Sequence, residues 1–278
     1  MKLPFLLLLA LLPGVAFSRG FEVGAPPPGE AGIRAQAARR FASAWLIKPP
    51  EHGDTNSLAW RLAPILILEA ATNRAPGGLT NPALRTVFYA ERNVVIAGRD
   101  YRQVAYFWRP ATNLSDAPSR VQPRGIMLTV DSDGWPVLSE LLGSIGPSQV
   151  FFATQRLERA AAREFGAPLR GRQFALERSL RTAPRSILGL VIEDGPMPMG
   201  PMVYLTADQQ TITAVLCRCM PSPIESAAGG ANYELKRVEW TAEFTAGRRA
   251  PEECLRMPGT RPSLEDELDS LEPGGIRQ

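Results

Sequence analysis

The chain has 278 residues, 45% of them hydrophobic and 21% charged, with 31 Lys+Arg against 28 Asp+Glu and one histidine. That balance belongs to a folded chain and excludes a disordered polymer, a coiled coil and a multi-span membrane protein. A lone imidazole, His52, also excludes two-histidine zinc motifs and is the one histidine that a Ser-His-Asp or Cys-His site could recruit.

Residues 1–18 read as a secretory signal peptide. Lys2 gives a positive start, Leu3 to Leu12 is an apolar run broken only by Pro4, and Ala16-Phe17-Ser18 follows Pro13-Gly14 with small residues suited to cleavage. The run is shorter than the roughly 20 apolar residues that span a bilayer, and no later segment reads as a membrane span. The expected location is secreted or periplasmic. Residues 19–29, with Pro26-Pro27-Pro28, read as an extended leader.

Residues 30–245 are predicted to form a single α+β domain, mainly antiparallel sheet with a few packing helices. Ile33, Ala37, Phe41, Ala44 and Trp45 recur at helical spacing, which predicts a helix over 30–48 stopped by Pro49-Pro50. Leu58 to Ala71 is apolar with Pro64 inside it, and the reading favoured is a short helix opened by that proline. Beyond Arg85 the period becomes two, giving strands over 86–91, 94–97 and 101–109. In the third, Val104, Tyr106 and Trp108 face one way and Ala105 and Phe107 the other, so both faces should be covered. The segment 110–123 is the candidate for an internal boundary. Strands over 126–130 and 135–142 make a hairpin around Asp133-Gly134. A strand at 150–153 leads into a helix at 155–165 ended by Gly166, and further strands are predicted at 187–192, 203–205, 211–219 and 233–244. The Pro-rich and acidic stretch 246–278 reads as a mobile tail.

The basic charge is almost all arginine, scattered among acids with no run longer than two, so nucleic acid is not an expected partner. No Gly-x-Ser-x-Gly elbow, phosphate-binding loop or dinucleotide fingerprint is present, while a hydrolase with paired carboxylates is not excluded by the sequence. Enzyme activity is therefore not the leading expectation. Two other constellations carry chemistry. Met197, Met199 and Met202, followed by Cys217 and Cys219, supply the soft sulfur donors that suit Cu(I), so copper is the candidate cofactor. Asp131, Asp133, Gly134 and Glu140 fall at places 3, 5, 6 and 12 of a calcium loop, although an ordinary hairpin turn explains the same residues.

Cys217, Cys219 and Cys254 are the disulfide candidates. Residues two apart in an extended strand lie about 6.6 Å between Cα atoms, which disfavours a Cys217–Cys219 bond and favours Cys254 as the partner of one of them. Tyr101, Tyr106, Phe107, Trp108 and Trp135 sit on neighbouring strands and read first as core, second as a binding face. The expected function is that of an exported binding or envelope-associated structural domain, its partner an envelope protein or a small-molecule ligand.

Overall fold

A computed structural model describes scattered positions within 32–41 and, apart from 52 and 55, residues 44–69, then 82–108, 124–143, 148–181, 186–207, 211–219, 230–241 and 249–259. The signal peptide, the leader, His52, the 110–123 boundary and residues 260–278 lie outside the described residues.

The strands in chain order are β1 (Trp45–Lys48), β2 (Ile65–Leu68), β3 (Thr86–Ile96), β4 (Arg99–Trp108), β5 (Arg124–Val130), β6 (Pro136–Leu142), β7 (Gln149–Thr154), β8 (Ser186–Ile192), β9 (Met202–Leu205), β10 (Ile212–Leu216), β11 (Gly230–Asn232) and β12 (Glu234–Arg237). They form a 5-stranded sheet, β10-β9-β2-β1-β11, and a 7-stranded sheet, β12-β3-β4-β5-β6-β7-β8. The fold is sheet-rich with few helices, as expected of α+β, but the sheets are mixed. β3 to β7 run antiparallel in succession, whereas β1–β11, β2–β9, β3–β12 and β7–β8 are parallel pairs.

The sheets pack face to face. Ile47, Leu66, Val203 and Val215 from the smaller sheet meet Val104, Tyr106, Trp108 and Leu128 from the larger in one buried cluster. The outer face of the smaller sheet, with Leu46, Ile65, Ile67 and Tyr204, is covered by Ala37 and Phe41. Phe41 meets Tyr204 edge-on at 5.1 Å between ring centres. The outer face of the larger sheet buries Phe151 and Ala153 against Leu157 and Ala161 of the Gln155–Phe165 helix.

Several local expectations are corrected by these layers. The helix predicted over 30–48 does not reach its end, because Trp45–Lys48 is β1. Leu46 is buried on the outer face and Ile47 between the sheets, and adjacent residues can serve opposite faces only in a strand. The helix predicted to start at Pro64 ends before it, at Leu58–Arg61, and Ile65–Leu68 is β2, buried on both faces. Pro64, lacking an N–H, sits just before that strand, whose ladder opens with Ile65 N–H donating to Pro201 O at 3.0 Å.

The two strands predicted at 86–91 and 94–97 are one, because Arg92 and Asn93 pair with Gln103 and Arg102 without interruption. The turn is Ala97-Gly98, with φ of 52° and 75°, as a two-residue hairpin of the mirror-image type requires. The strand predicted over 233–244 stops at Arg237. Trp240 instead lies under the Arg92 guanidinium, 4.4 Å from its ring centre, and packs on Ala105 and Met127. Residues 249–259, placed in the tail by composition, belong to the core: Cys254 and Leu255 are fully buried, and Leu255 bridges to Leu180.

Tyr233 carries the chain from one sheet to the other between β11 and β12. Its N–H donates to Lys48 O at 2.9 Å and its hydroxyl to Pro64 O at 2.8 Å. Tyr106 makes the matching contact, donating to Ala59 O at 2.7 Å. Burial pushes both phenols well above their ordinary ionisation range, so both remain hydrogen-bond donors. Tyr106→Phe removes the donor from a carbonyl in the interior and is expected to cost about 2 kcal/mol. A urea melt should show the loss as a lower midpoint with an unchanged slope.

Candidate functional site

One end of the sandwich gathers loops from both sheets. β7, β8 and β10 run into it, and β6 and β9 start from it, so Trp135, Thr154, Asp194, Met199, Cys217 and Arg218 line one cleft of about 40 Å³. That volume holds a few water molecules, and a ligand group entering it would be a single side chain or its equivalent.

The cleft has an apolar wall and a charged rim. Trp135 is half-buried beneath the Arg156 guanidinium, 5.6 Å from its ring centre. Arg156 also reaches Asp131 at 3.8 Å and Asp133 at 3.6 Å. Thr154 caps the helix by accepting the Leu157 N–H at 3.4 Å. Asp194 accepts the Arg156 N–H at 3.3 Å and an Arg159 guanidinium N–H at 2.9 Å, placing its charge at the helix N-terminus. The cleft-lining acid Asp194 is thus engaged by arginine and backbone.

Of the soft donors, Met197 is 61% exposed at the mouth, Met199 is half-buried along the wall, and Cys217 lies deeper. Met202 is fully buried in the cluster on the outer face of the smaller sheet, with Ile65 and Tyr204, and does not line the cleft. Cys217 and Cys219 are joined to each other by a disulfide, with 5.3 Å between their Cα atoms. This overturns the pairing expected with Cys254, which is buried and forms no disulfide. The expectation rested on an extended backbone, but β10 ends at Leu216 and the chain bends at 218 and 219, shortening the separation.

The calcium-loop reading is also corrected. One Asp131 oxygen accepts the N–H groups of Asp133 and Trp135 at 3.0 and 2.9 Å, closing the hairpin turn. Glu140 is buried elsewhere, accepting from Gln149 at 2.7 Å. Among the described residues no group of three or more His, Cys, Asp and Glu side chains is placed to hold a metal. Of the aromatic strand residues, Tyr101, Tyr106 and Trp108 are core, Phe107 stacks on Phe88, and Trp135 alone reaches the cleft.

Burial raises the Asp131 carboxyl above its ordinary 3.8, against the lowering effects of the Trp135 N–H and the Arg156 charge. Between 3.8 and the raised value the folded chain holds a proton that the unfolded chain has lost. Stability from this group is therefore full below that window and falls as pH rises through it. Asp131→Asn keeps an oxygen for both N–H groups and cannot ionise. Its stability relative to the parent should rise with pH across the window and stay level on either side, as denaturant melts at a series of pH values would show.

The sequence matches no family model, no curated protein and no solved structure. The cleft residues Trp135, Thr154, Asp194 and Arg218 were not legible as a set. Each sits in a turn or strand end, and only the crossing of the two sheets brings them together.

Proposed function

We propose that the protein is exported and acts by binding, with the cleft at the sheet ends as its contact surface. What supports this reading is the convergence of loops from both sheets on Trp135, Met197, Met199 and Arg218, with an apolar wall and a charged rim. Binding residues concentrate on loops held by a rigid scaffold, and here the scaffold is a doubly covered sandwich. Export is supported by the order of charge, apolar run and small residues over 1–18. No helix among the described residues is long and apolar enough to cross a membrane.

Two measurements test it. The chain expressed with its own N-terminus should be recovered outside the cytoplasmic membrane with Arg19 as its first residue. Retention inside the cell with Met1 in place would overturn export. Labelled methionine methyl signals should then shift for Met197 and Met199 when a panel of sugars, short peptides and amphiphiles is titrated, and Trp135→Ala should abolish the response. Silence from every probe would overturn the cleft as a binding surface.

The soft-metal reading keeps one specific support: Met197, Met199 and Cys217 share the cleft wall. It needs the disulfide reduced, since the thiolate is the ligand. Cu(I) titrated into the reduced protein should bind with one-to-one stoichiometry and weaken in the Met197→Leu/Met199→Leu variant. Unchanged affinity would remove copper from consideration.

A further inference from the structure

We infer that Cys217–Cys219 is an exchangeable disulfide, a site at which an external thiol is oxidised. The inference goes beyond the binding reading and does not rest on it, because it stands on the pair itself.

Three features set this bond apart from a structural staple. It closes a loop across one residue, and the loop-closure entropy that a disulfide removes from the unfolded chain grows with loop length. A bond this local therefore does little to hold the fold together. It also lies beyond the last residue of β10, at the cleft, with Cys217 5% exposed in the wall and Cys219 half-buried. Finally, the Cys219 N–H donates to Cys217 Sγ at 3.0 Å, and Arg218 lines the same cleft. A hydrogen bond donated to a sulfur favours its thiolate, the form in which a sulfur leaves.

These features give the two sulfurs different roles. An incoming thiolate attacks Cys219 Sγ, the S–S bond breaks, and Cys217 leaves as a thiolate held by the Cys219 N–H. The product is a mixed disulfide between the substrate and Cys219. A second substrate thiolate attacks the substrate sulfur of that bond, releasing Cys219 and forming the substrate disulfide. Two electrons pass from two thiolates to the pair, and the two thiol protons end on Cys217 and Cys219. An external disulfide of the glutathione class returns the pair to its oxidised form by the reverse steps. Cys254 takes no part: it is fully buried, with its thiol directed to Gln149 Oε1 at 3.4 Å. The substrate is a thiol that can reach the half-buried Cys219 sulfur beside the cleft, carried by a small molecule or by a flexible peptide.

The native mature chain, equilibrated in glutathione redox buffers, quenched with acid and alkylated, should show Cys217 and Cys219 gaining two labels together and reversibly. Cys254 should stay unlabelled, and the fold should persist by circular dichroism. Cys217→Ser leaves Cys219 as the free thiol and should accumulate a glutathione adduct at least about tenfold faster than Cys219→Ser, whose remaining sulfur is buried. A pair that resists reduction until the protein unfolds would overturn the inference, and the unmutated chain alone decides this if the variants fail to fold. A peptide map with no 217–219 bond would overturn it at the premise. The source of the thiol follows from the kinetics. Oxidation that saturates with a cysteine peptide and stays linear with glutathione marks a polypeptide substrate, and the opposite pattern marks a small thiol.

Discussion

Gly200→Ala is expected to destabilise the protein by about 3 kcal/mol, at the upper end of the usual cost of overpacking. A methyl group there would collide with the Leu62 carbonyl and would stand 2.8 Å from Ala63 O, closer than real Cβ atoms come to their neighbours. Both obstacles are backbone, so no rotamer change relieves them. The segment that would have to move, 62–64, is tied down. Ile65 N–H donates to Pro201 O, and β2 and β9 pair from Ile65 opposite Met202. Tyr233 holds the Pro64 carbonyl. The comparison that isolates the cause is Gly195→Ala. There the nearest neighbour is the end of the flexible Met199 side chain, with Sδ at 3.1 Å, and the one backbone atom close by, Met197 O, stands at 3.3 Å, so the cost should stay below about 1 kcal/mol. Both glycines line the cleft. Equal melting midpoints for the two variants would show that the strands have more room at Gly200 than the geometry gives them.

What the sequence revealed and what it hid divides along the range of the interactions. The 124–142 hairpin is legible because its turn is chemical: Asp131 takes the N–H groups of Asp133 and Trp135, and Gly134 supplies φ of 85°. The 155–165 helix is legible because Leu157 and Ala161 stripe it and Gly166 ends it at φ 82°, while its Thr154 cap shows only in the structure. Trp45–Lys48 misled because its preceding residues carry a helical stripe. Only the presence of layers on both sides makes Leu46 and Ile47 a strand. The same limit governs the cysteines. Alternation over 211–219 reads as an extended strand, whereas the ladder with β9 ends at Leu216 opposite Met202, freeing the next residues to bend into a bond. The site is the extreme case, since Trp135, Asp194 and Cys217 become neighbours through strand ends drawn from both sheets.

The core role of the stretch that composition assigned to a mobile tail is open to a direct test at Gln149. This residue opens β7, is 6% exposed, and makes four contacts with one amide. Its NH₂ donates to Glu140 at 2.7 Å and to Arg249 O at 3.1 Å. Its oxygen accepts from the Arg249 N–H at 2.9 Å and the Cys254 thiol at 3.4 Å. Gln149→Ala strips all four and opens a cavity, and a loss of about 4 kcal/mol is expected. Gln149→Met keeps most of the volume and none of the hydrogen bonds, so it should lose nearly as much if polar pairing is what matters. The consequence should be local before it is global. Once Arg249 and Cys254 are released, the short Pro251–Cys254 helix should open well below the global transition, bringing Cys254 within reach of an alkylating reagent. Stability that falls while Cys254 stays protected would mean that Leu255 and Met257, packed in the cluster with Tyr101 and Phe151, hold the segment without Gln149.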